Sequence, residues 1–279
     1  MLSSITPKQA EWTADRLKMK LLLFQIDAFA SQIFEGNPAA VVHLTEWLPD
    51  ELMQQIAMEN QLSETAFFFQ GKEQFHLRWF TPVAEVDLCG HATLATAHAL
   101  MTEMNHPADS IEFVTRSGIL TVRKEEGQLE MAFPIDPIEP DESFKKQVSE
   151  ILNTPVIELW KGREDWLAVV ESETAVRHLQ PDLRKLASQE RRGLIVTAKG
   201  ESAEVVSRCF FPKFGIDEDP VTGSAHTTLA AYWCDQLSKS DFSARQISSR
   251  GGNVHCRRDG ETVFLSGTAR TYLRGEIEV

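Results

Sequence analysis

One stretch of the sequence occurs in two versions, at residues 85–96 and 217–228. Each version places acidic residues and a glycine–polar–alanine step before an apolar run that has the character of a helix. A helix that begins at such a step offers unpaired N–H groups and a partial positive charge. Two helix starts that face one another would bind a carboxylate or a phosphate. The repeated stretch therefore predicts two similar units with an anion site between them.

Further matches between the two halves occur in the same order along the chain. Their separations run from 128 (residues 40 and 168) to 134 (residues 115 and 249). The matched segments are 40–42 with 168–170, 49–50 with 181–182, 78–82 with 208–212, and 115–118 with 249–252. Collinear matches at a nearly constant separation indicate an internal duplication.

The duplication sets the predicted domain boundaries. The first repeat is expected to cover residues 19–134 and the second residues 135–269, joined through the proline-rich segment 134–140. Residues 270–279 have no counterpart at the end of the first copy, and we expect them to cross back and complete the first repeat. Residues 1–18 precede the periodic part of the chain and are predicted to be an N-terminal extension.

Each repeat contains one strongly apolar, helix-like run, Leu94–Met101 in the first and Leu229–Cys234 in the second. A helix that is apolar on nearly every side is buried. Strand-like segments lie before and after both runs, so each repeat is predicted to wrap a curved sheet around a central helix. The fold class is therefore α+β.

Composition and charge restrict the classes of function. The formal net charge of −13 argues against a surface for nucleic acids or membranes, because both need clustered positive charge. The longest apolar runs are as short as strands, so no membrane-spanning segment is predicted. The cysteines are Cys89, Cys209, Cys234 and Cys256. Without a CxxC pair they are expected to be reduced thiols rather than metal ligands, in a soluble cytoplasmic protein.

The residues at the two helix starts are the first candidates for a site. They are Cys89, Gly90, His91 and Thr93 in the first copy, and Asp219, Gly223, Ser224 and His226 in the second. Glycines let a backbone approach a ligand closely. The hydroxyls of Thr93 and Ser224 can bind a ligand, but they can also serve as ordinary helix caps.

Three side chains are candidates for proton transfer. His91 at a helix start is biased towards its neutral form, because the helix dipole disfavours a cation there. Asp219 precedes a proline, and a turn or cap role is its simpler alternative. Glu64 lies beside the apolar run 66–69, where partial desolvation suits general acid/base work, although it could also end a strand in solvent. The second copy has arginines at 191–192 near the equivalent place, so Glu64 has no twin.

Three motifs in this order and spacing resemble the PhzF-like phenazine-biosynthesis family. They are Asn60–Thr65, Cys89–Thr93 and Asp219–Ala225, accompanied by Gly36-Asn37-Pro38 near the start. The resemblance extends from about residue 19 to the end. It implies two similar domains of the diaminopimelate epimerase-like fold, each a mixed or antiparallel strand barrel around a central helix. It also implies a homodimer.

The resemblance also implies an activity. Family members of this kind are isomerases that need no cofactor or metal and move a proton between carbons of a small carboxylate-bearing metabolite; the phenazine-pathway substrate is dihydro-hydroxyanthranilate. By this resemblance Glu64 matches the proton-shuttling glutamate, with His91 and Asp219 beside it. The substrate-binding positions implied at the helix starts are Gly90, Ala92, Thr93, Gly223, Ser224 and Ala225.

Two alternatives remain open at the level of sequence. The first is an amino-acid racemase or epimerase that uses Cys89 with a partner other than a thiol, since position 221 or 222, which matches Cys89, holds valine or threonine. The second is a protein that binds a small acid without catalysis.

Overall fold

The computed structural model describes residues 19–279, and the predicted extension 1–18 lies outside the described residues. The strands up to residue 140 are β1 (Lys20–Ala28), β2 (Asn37–His43), β3 (Glu64–Gln70), β4 (Phe75–Phe80), β5 (Glu85–Val86), β6 (Ser110–Thr115), β7 (Gly118–Glu125), β8 (Gln128–Pro134) and β9 (Glu139–Pro140). The later strands are β10 (Glu158–Lys161), β11 (Trp166–Val169), β12 (Leu194–Lys199), β13 (Val205–Phe211), β14 (Ile216–Asp219), β15 (Asp241–Gln246), β16 (Gly252–Asp259), β17 (Thr262–Gly267) and β18 (Ala269–Glu278).

The helices lie between these strands. They are α1 (Asp50–Asn60), α2 (Gly90–His98), α3 (Lys145–Leu152), α4 (Glu173–Arg177), α5 (Leu183–Ala187) and α6 (Gly223–Leu237). A π-helical turn, Ala99–Glu103, continues α2, and a short 3₁₀ turn, Pro212–Phe214, follows β13. Among the helices of the described residues, none combines the length and apolarity needed to cross a membrane.

The strand pairings follow the same order in the two halves. In the first, β1 is antiparallel to β2, β2 is parallel to β3, β3 is antiparallel to β4, and β4 is parallel to β6. In the second, β10 is antiparallel to β11, β11 is parallel to β12, β12 is antiparallel to β13, and β13 is parallel to β15. Antiparallel hairpins complete each set, and β8 pairs with β17. The α+β class is confirmed.

Two further pairings involve the ends of the described chain and the proline-rich segment. The C-terminal strand β18 pairs along the whole of β1, as expected for a tail that crosses back. The segment 134–140 is more than a linker, because β9 within it pairs with β10. Asp136 within it accepts a hydrogen bond from the Thr228 hydroxyl at 2.8 Å. This segment is therefore tied to the second half of the chain.

The two apolar helices lie where the sequence predicted buried ones. Every residue from His91 to Ala97 of α2 is buried, and so are ten consecutive residues of α6, Ala225–Cys234. Alanine supplies much of both helices, which lets the sheet approach closely while still burying apolar surface. Both helices begin at the predicted glycines, Gly90 and Gly223. Their N-terminal ends can therefore be placed precisely relative to the surrounding strands.

Equivalent arginines in the two halves make equivalent contacts. Arg78 on β4 forms a two-pronged ion pair with Glu85 and stacks on Phe80. Arg208, which follows by 130 residues in the matched segments, pairs with Glu218 in the same way and stacks on Phe210. Paired hydrogen bonds of this kind fix orientation as well as distance. Each arginine thus holds the strand that leads towards the following helix start.

The turn before β2 connects the two halves next to the helix starts. Gly36 has a positive φ of 69°, and a Cβ atom there would lie 2.1 Å from the Ala28 carbonyl oxygen, so only glycine fits. Arg250 donates hydrogen bonds to the Gly36 and Glu35 carbonyls and forms an ion pair with Asp27 at 2.8 Å. These contacts hold Asn37, the next residue, against the second half.

Candidate active site

The starts of α2 and α6 face each other across a narrow gap. A Cβ atom built on Gly223 would lie 4.0 Å from the Gly90 Cα atom. Within the described part of the chain, neither helix start has a side-chain cap. The first N–H groups of both helices are therefore open to a ligand, and both helix dipoles favour an anion in the gap. This arrangement supports the prediction of an anion site between the two helices, which stays a prediction.

Glu64 and His91 meet beside this gap. Glu64 begins β3 and is paired in register with Ala39 on β2, while His91 is the second residue of α2. Their Oε2 and Nε2 atoms lie 3.0 Å apart, and their side chains are only 14% and 9% exposed. The contact has the distance of a hydrogen bond but not its direction, and neither atom has another hydrogen-bond partner among residues 19–279. Both atoms are buried and keep their capacity for a hydrogen bond.

The charge state of His91 differs from the one that the helix start alone predicts. Burial lowers the pKa of His91, but the acidic neighbours Cys89 and Glu64 raise it by more, so the net pKa lies well above 6.5. The contact between the Glu64 carboxylate and the His91 ring could not be predicted from the sequence. The direction of this shift is opposite to the neutral form that the helix start alone predicts, and it favours an ion pair between Glu64 and His91.

Asp219 is the last residue of β14, just before α6, and two residues hold its carboxylate. Its Oδ1 atom accepts a hydrogen bond of 2.9 Å from Asn37, and its Oδ2 atom accepts one from the Thr222 hydroxyl. Burial raises the pKa of Asp219 to about 6, and the charge of Glu64 adds to this; His91 and the hydrogen bonds from Thr222 and Asn37 oppose it. The side chains of Glu64, His91 and Asp219 therefore belong to one electrostatic unit.

Asn37 and Gln246 position Asp219 and the turn that follows it, and neither was predicted from the sequence to be a site residue. Asn37 also donates to the Val221 carbonyl at 2.9 Å, and the motif Gly36-Asn37-Pro38 was its signal. Gln246 bridges the turn before α6, donating to the Asp219 carbonyl at 2.6 Å and accepting from the Thr222 N–H at 2.9 Å. No motif in the sequence pointed to Gln246, because its partners lie more than twenty residues away.

The remaining predicted residues have different surroundings. Thr93 is buried, and its hydroxyl donates to the Cys89 carbonyl at 2.6 Å, so it acts as a structural group within α2. Ser224 is exposed at the start of α6, and its hydroxyl accepts a hydrogen bond of 3.4 Å from Arg192. Gly90, Ala92, Gly223 and Ala225 lie in the first turns of the two helices. These positions can contribute N–H groups to the gap.

His226 stays neutral inside α6. Its Nδ1 atom is 2.7 Å from the Thr222 carbonyl oxygen, so the ring donates there. Burial lowers the pKa of His226 to about 4, against the opposing effect of that hydrogen bond. This histidine is therefore a neutral support for the turn that carries Asp219.

Three of these side chains could also approach a metal ion. Glu64, Cys89 and His91 each offer one ligand atom, and the three atoms lie within 4.8 Å of one another. Burial and the charge of Glu64 raise the pKa of the Cys89 thiol, which makes the thiolate form rare at neutral pH. Because metals bind the thiolate, a metal would first have to displace this proton. That the site works without a metal stays a prediction.

Comparisons with known proteins identify relatives of the whole described chain. The family model described as phenazine biosynthesis-like protein matches residues 26–275. A Pseudomonas aeruginosa protein named as an uncharacterized isomerase is 45% identical over 262 residues, which cover 94% of this chain and 100% of the relative. The predicted enzyme class agrees with the name of this relative.

Solved structures agree with the sequence comparison. A phenazine biosynthesis protein of the PhzF family from Enterococcus faecalis has a TM-score of 0.90 at 42% identity, with 94% of this chain and 100% of that chain covered. A hydroxyproline epimerase from Agrobacterium vitis, at 10% identity and a TM-score of 0.58, covers 94% of each chain and shows a shared fold. The predicted family is confirmed: the chain belongs to the phenazine biosynthesis-like family of PhzF type.

Proposed function

We propose that this protein is a cofactor-independent isomerase that moves a proton between two carbons of a small carboxylate-bearing metabolite. The observation that carries the proposal is the contact of 3.0 Å between Glu64 and His91, beside two uncapped helix starts that face each other. The helix starts supply an anion cradle, and Glu64 is a carboxylate at its edge with a free oxygen. Positioning and proton transfer are thus provided by separate groups.

The reaction proceeds in two proton transfers. The substrate carboxylate binds the N–H groups at the starts of α2 and α6, which leaves the adjacent carbon next to Glu64. The Oε2 atom of Glu64 takes a proton from that carbon, and the electron pair of the broken C–H bond shifts the double bond. Glu64 then returns the proton to the far carbon of the original double bond, so that the double bond ends one position along the carbon chain. The net charge and composition of the substrate are unchanged.

His91 and Asp219 have supporting parts in this proposal. The imidazolium of His91 stabilises the Glu64 carboxylate before the reaction and the negative charge on the substrate during it. Asp219, with both oxygens occupied by Asn37 and Thr222, orients the substrate's amino or hydroxyl group. The pKa of Asp219 near 6 lets it carry either charge at a pH close to neutral.

We further propose that residues 19–134 with 270–279 and residues 135–269 form two similar domains with the site between them. The pairing of β18 with β1, the matched strand orders and the matched contacts of Arg78 and Arg208 support this division. Each domain would be a strand barrel around α2 or α6. A homodimer is also expected, and light scattering of the purified protein measures this directly.

Replacement of Glu64 by glutamine tests the proton transfer. In heavy water, wild-type protein incubated with a panel of unsaturated small acids is expected to isomerise its substrate with some deuterium entering the product, as monitored by NMR. Glu64→Gln is expected to lower turnover at least about 100-fold, because a positioned general base contributes about that much, while binding is kept. Glu59→Gln, an exposed change on α1, serves as the control. Undiminished turnover in Glu64→Gln would refute the assignment.

The racemase alternative rests on Cys89 and is less well supported. A catalytic thiol needs a lowered pKa, whereas burial raises the pKa of Cys89. The second helix start is preceded by Thr222 rather than by a thiol. We therefore expect Cys89→Ser to keep most of the activity, and its loss with normal folding would favour the racemase.

A further inference from the structure

A cleft of about 410 Å³ lies near the start of α6, to which its lining residue Arg192 is hydrogen-bonded through Ser224. It is lined by Arg163, Glu164, Glu190, Arg191, Arg192, Lys213 and Phe214. Four of these seven residues are cations and two are acids, in a chain whose formal net charge is −13. The lining therefore carries two more cations than acids, and this excess of positive charge attracts anions.

Two of the cations, Arg191 and Lys213, form no ion pair among residues 19–279. Arg191 donates to the carbonyls of Gly162 and Arg163, and Lys213 donates to the carbonyls of Gln189 and Glu190. Neither has a carboxylate within 4 Å in the chain from residue 19 onwards. Hydrogen bonds to carbonyls fix the position of a cation without neutralising it. Glu190 also lines the cleft and Arg192 is paired with Glu164 and Asp165, so Arg191 and Lys213 are the cations that an anion in the cleft would meet.

Arg192 links the cleft to the anion cradle. It is anchored by a two-pronged ion pair with buried Asp165 and stacks on the ring of Phe211. From this fixed position it donates to the hydroxyl of Ser224, the second residue of α6. The cleft and the helix start thus share one wall.

The first half has a comparable contact at the start of its own helix, between Glu64 and His91. Glu64 begins β3 and contacts the second residue of α2, whereas Arg192 lies two residues before β12 and contacts the second residue of α6. By strand register Gly193 matches Glu64, because Phe67 pairs with Arg78 and Val196 pairs with Arg208. One half therefore places a carboxylate beside its helix start, and the other places a guanidinium there, one residue before the matching position.

We propose that the cleft is a subsite for a second anionic group, so that the substrate is a dicarboxylate or a carboxylate that also carries a phosphate. This inference rests on the proposed function for the place of the first carboxylate, in the gap between the helix starts. The second group binds Arg191 and Lys213, and Arg192 keeps the Ser224 hydroxyl turned towards the cleft. A substrate with one carboxylate and a neutral far end leaves these cations without a partner.

Binding of simple acids tests this inference without a known substrate. Calorimetry compares the dicarboxylates from malonate to adipate with monocarboxylates of matching length, and 3-phosphonopropionate with both. At least one doubly anionic probe is expected to bind about tenfold more tightly than its monocarboxylate, since a charge-assisted hydrogen bond contributes that much. Preference for succinate over 3-phosphonopropionate, or the reverse, identifies the second group as carboxylate or phosphate.

Charge-removing variants locate the effect. Arg191→Gln and Lys213→Gln are each expected to remove most of the advantage of the doubly anionic probe, while binding of butyrate stays within twofold of wild type. Arg184→Gln and Lys199→Gln, which remove exposed cations elsewhere, keep the advantage. No advantage of any doubly anionic probe in wild type, or an equal loss in the control variants, overturns the inference. Glu64→Gln is expected to keep the tighter binding of the doubly anionic probe. Turnover in this variant tests the catalytic proposal and binding preference tests the subsite, so the two proposals can fail separately.

Discussion

Asp219 provides a test of the site that needs no substrate, because its charge is linked to folding. Its pKa is raised from 3.8 to about 6 in the folded protein. Each pKa unit corresponds to 1.36 kcal/mol, so the ionised carboxylate destabilises the folded state by about 3 kcal/mol. Between these two pKa values the folded state holds a proton that the unfolded state has lost. This contribution therefore makes stability fall as the pH rises from 4 to 6.

Asp219→Asn removes the ionisation while keeping the shape of the side chain. The amide oxygen can still accept from Asn37, and the amide N–H can donate to the Thr222 hydroxyl. The free energy of unfolding of the variant, minus that of wild type, is expected to rise by about 2 to 3 kcal/mol between pH 4 and pH 8. Urea unfolding at one-unit pH intervals measures this difference.

The comparison between variant and wild type isolates this one group. His91, whose pKa is raised, also makes stability fall with rising pH above 6.5, but it is present in both proteins. Asp217→Asn changes an exposed carboxylate on the same strand, and its difference from wild type is expected to stay flat. A flat difference for Asp219→Asn as well would refute the placement of Asp219 in a desolvated site.

The other predictions concern the groups around the gap. His91 is expected to be mostly protonated at pH 6.5 by ¹⁵N NMR titration, and less so in Glu64→Gln; a neutral wild-type ring would contradict the ion pair. Gly223→Ala is expected to have a free energy of unfolding within about 1 kcal/mol of wild type. It is expected to bind butyrate at least tenfold more weakly, because the new methyl group enters the gap. The control variant Gly275→Ala is expected to bind butyrate as wild type does. Gln246→Leu is expected to cost roughly 2–5 kcal/mol in urea unfolding, since two buried backbone groups lose their partners; a loss below 1 kcal/mol would contradict this.

The sequence was sufficient to predict the parts of the fold that depend on local pattern. The apolar runs and the glycine steps predicted both buried helices and their first residues, because these signals lie within a few residues of each other. The contact between Glu64 and His91 was not predictable in this way. It requires β3 to lie parallel to β2 and beside the start of α2, which is a consequence of the tertiary fold.

The same distinction applies to the charge of His91. The helix dipole predicts a neutral His91, and this would hold for an isolated helix start. The nearby carboxylate of Glu64 raises the pKa of the ring, and only the folded chain brings that carboxylate within 3.0 Å. A charge therefore depends on neighbours that are distant in sequence, whereas the start of a helix does not.

The divergence of the two helix starts has a consequence for how a proton can travel. A racemase needs an acid and a base on opposite faces of one carbon, which a symmetric pair of helix starts can supply. In this chain Gly193 matches Glu64 by strand register, because Phe67 pairs with Arg78 and Val196 pairs with Arg208, and it has no side chain that could accept a proton. Arg192 beside it is held in an ion pair with Asp165, so it cannot serve as a base either. Asp219 has both oxygens engaged by Asn37 and Thr222. Under the proposed function, Glu64 therefore removes and returns the proton from one face of the substrate, which permits a shift between two carbons and does not permit inversion at one.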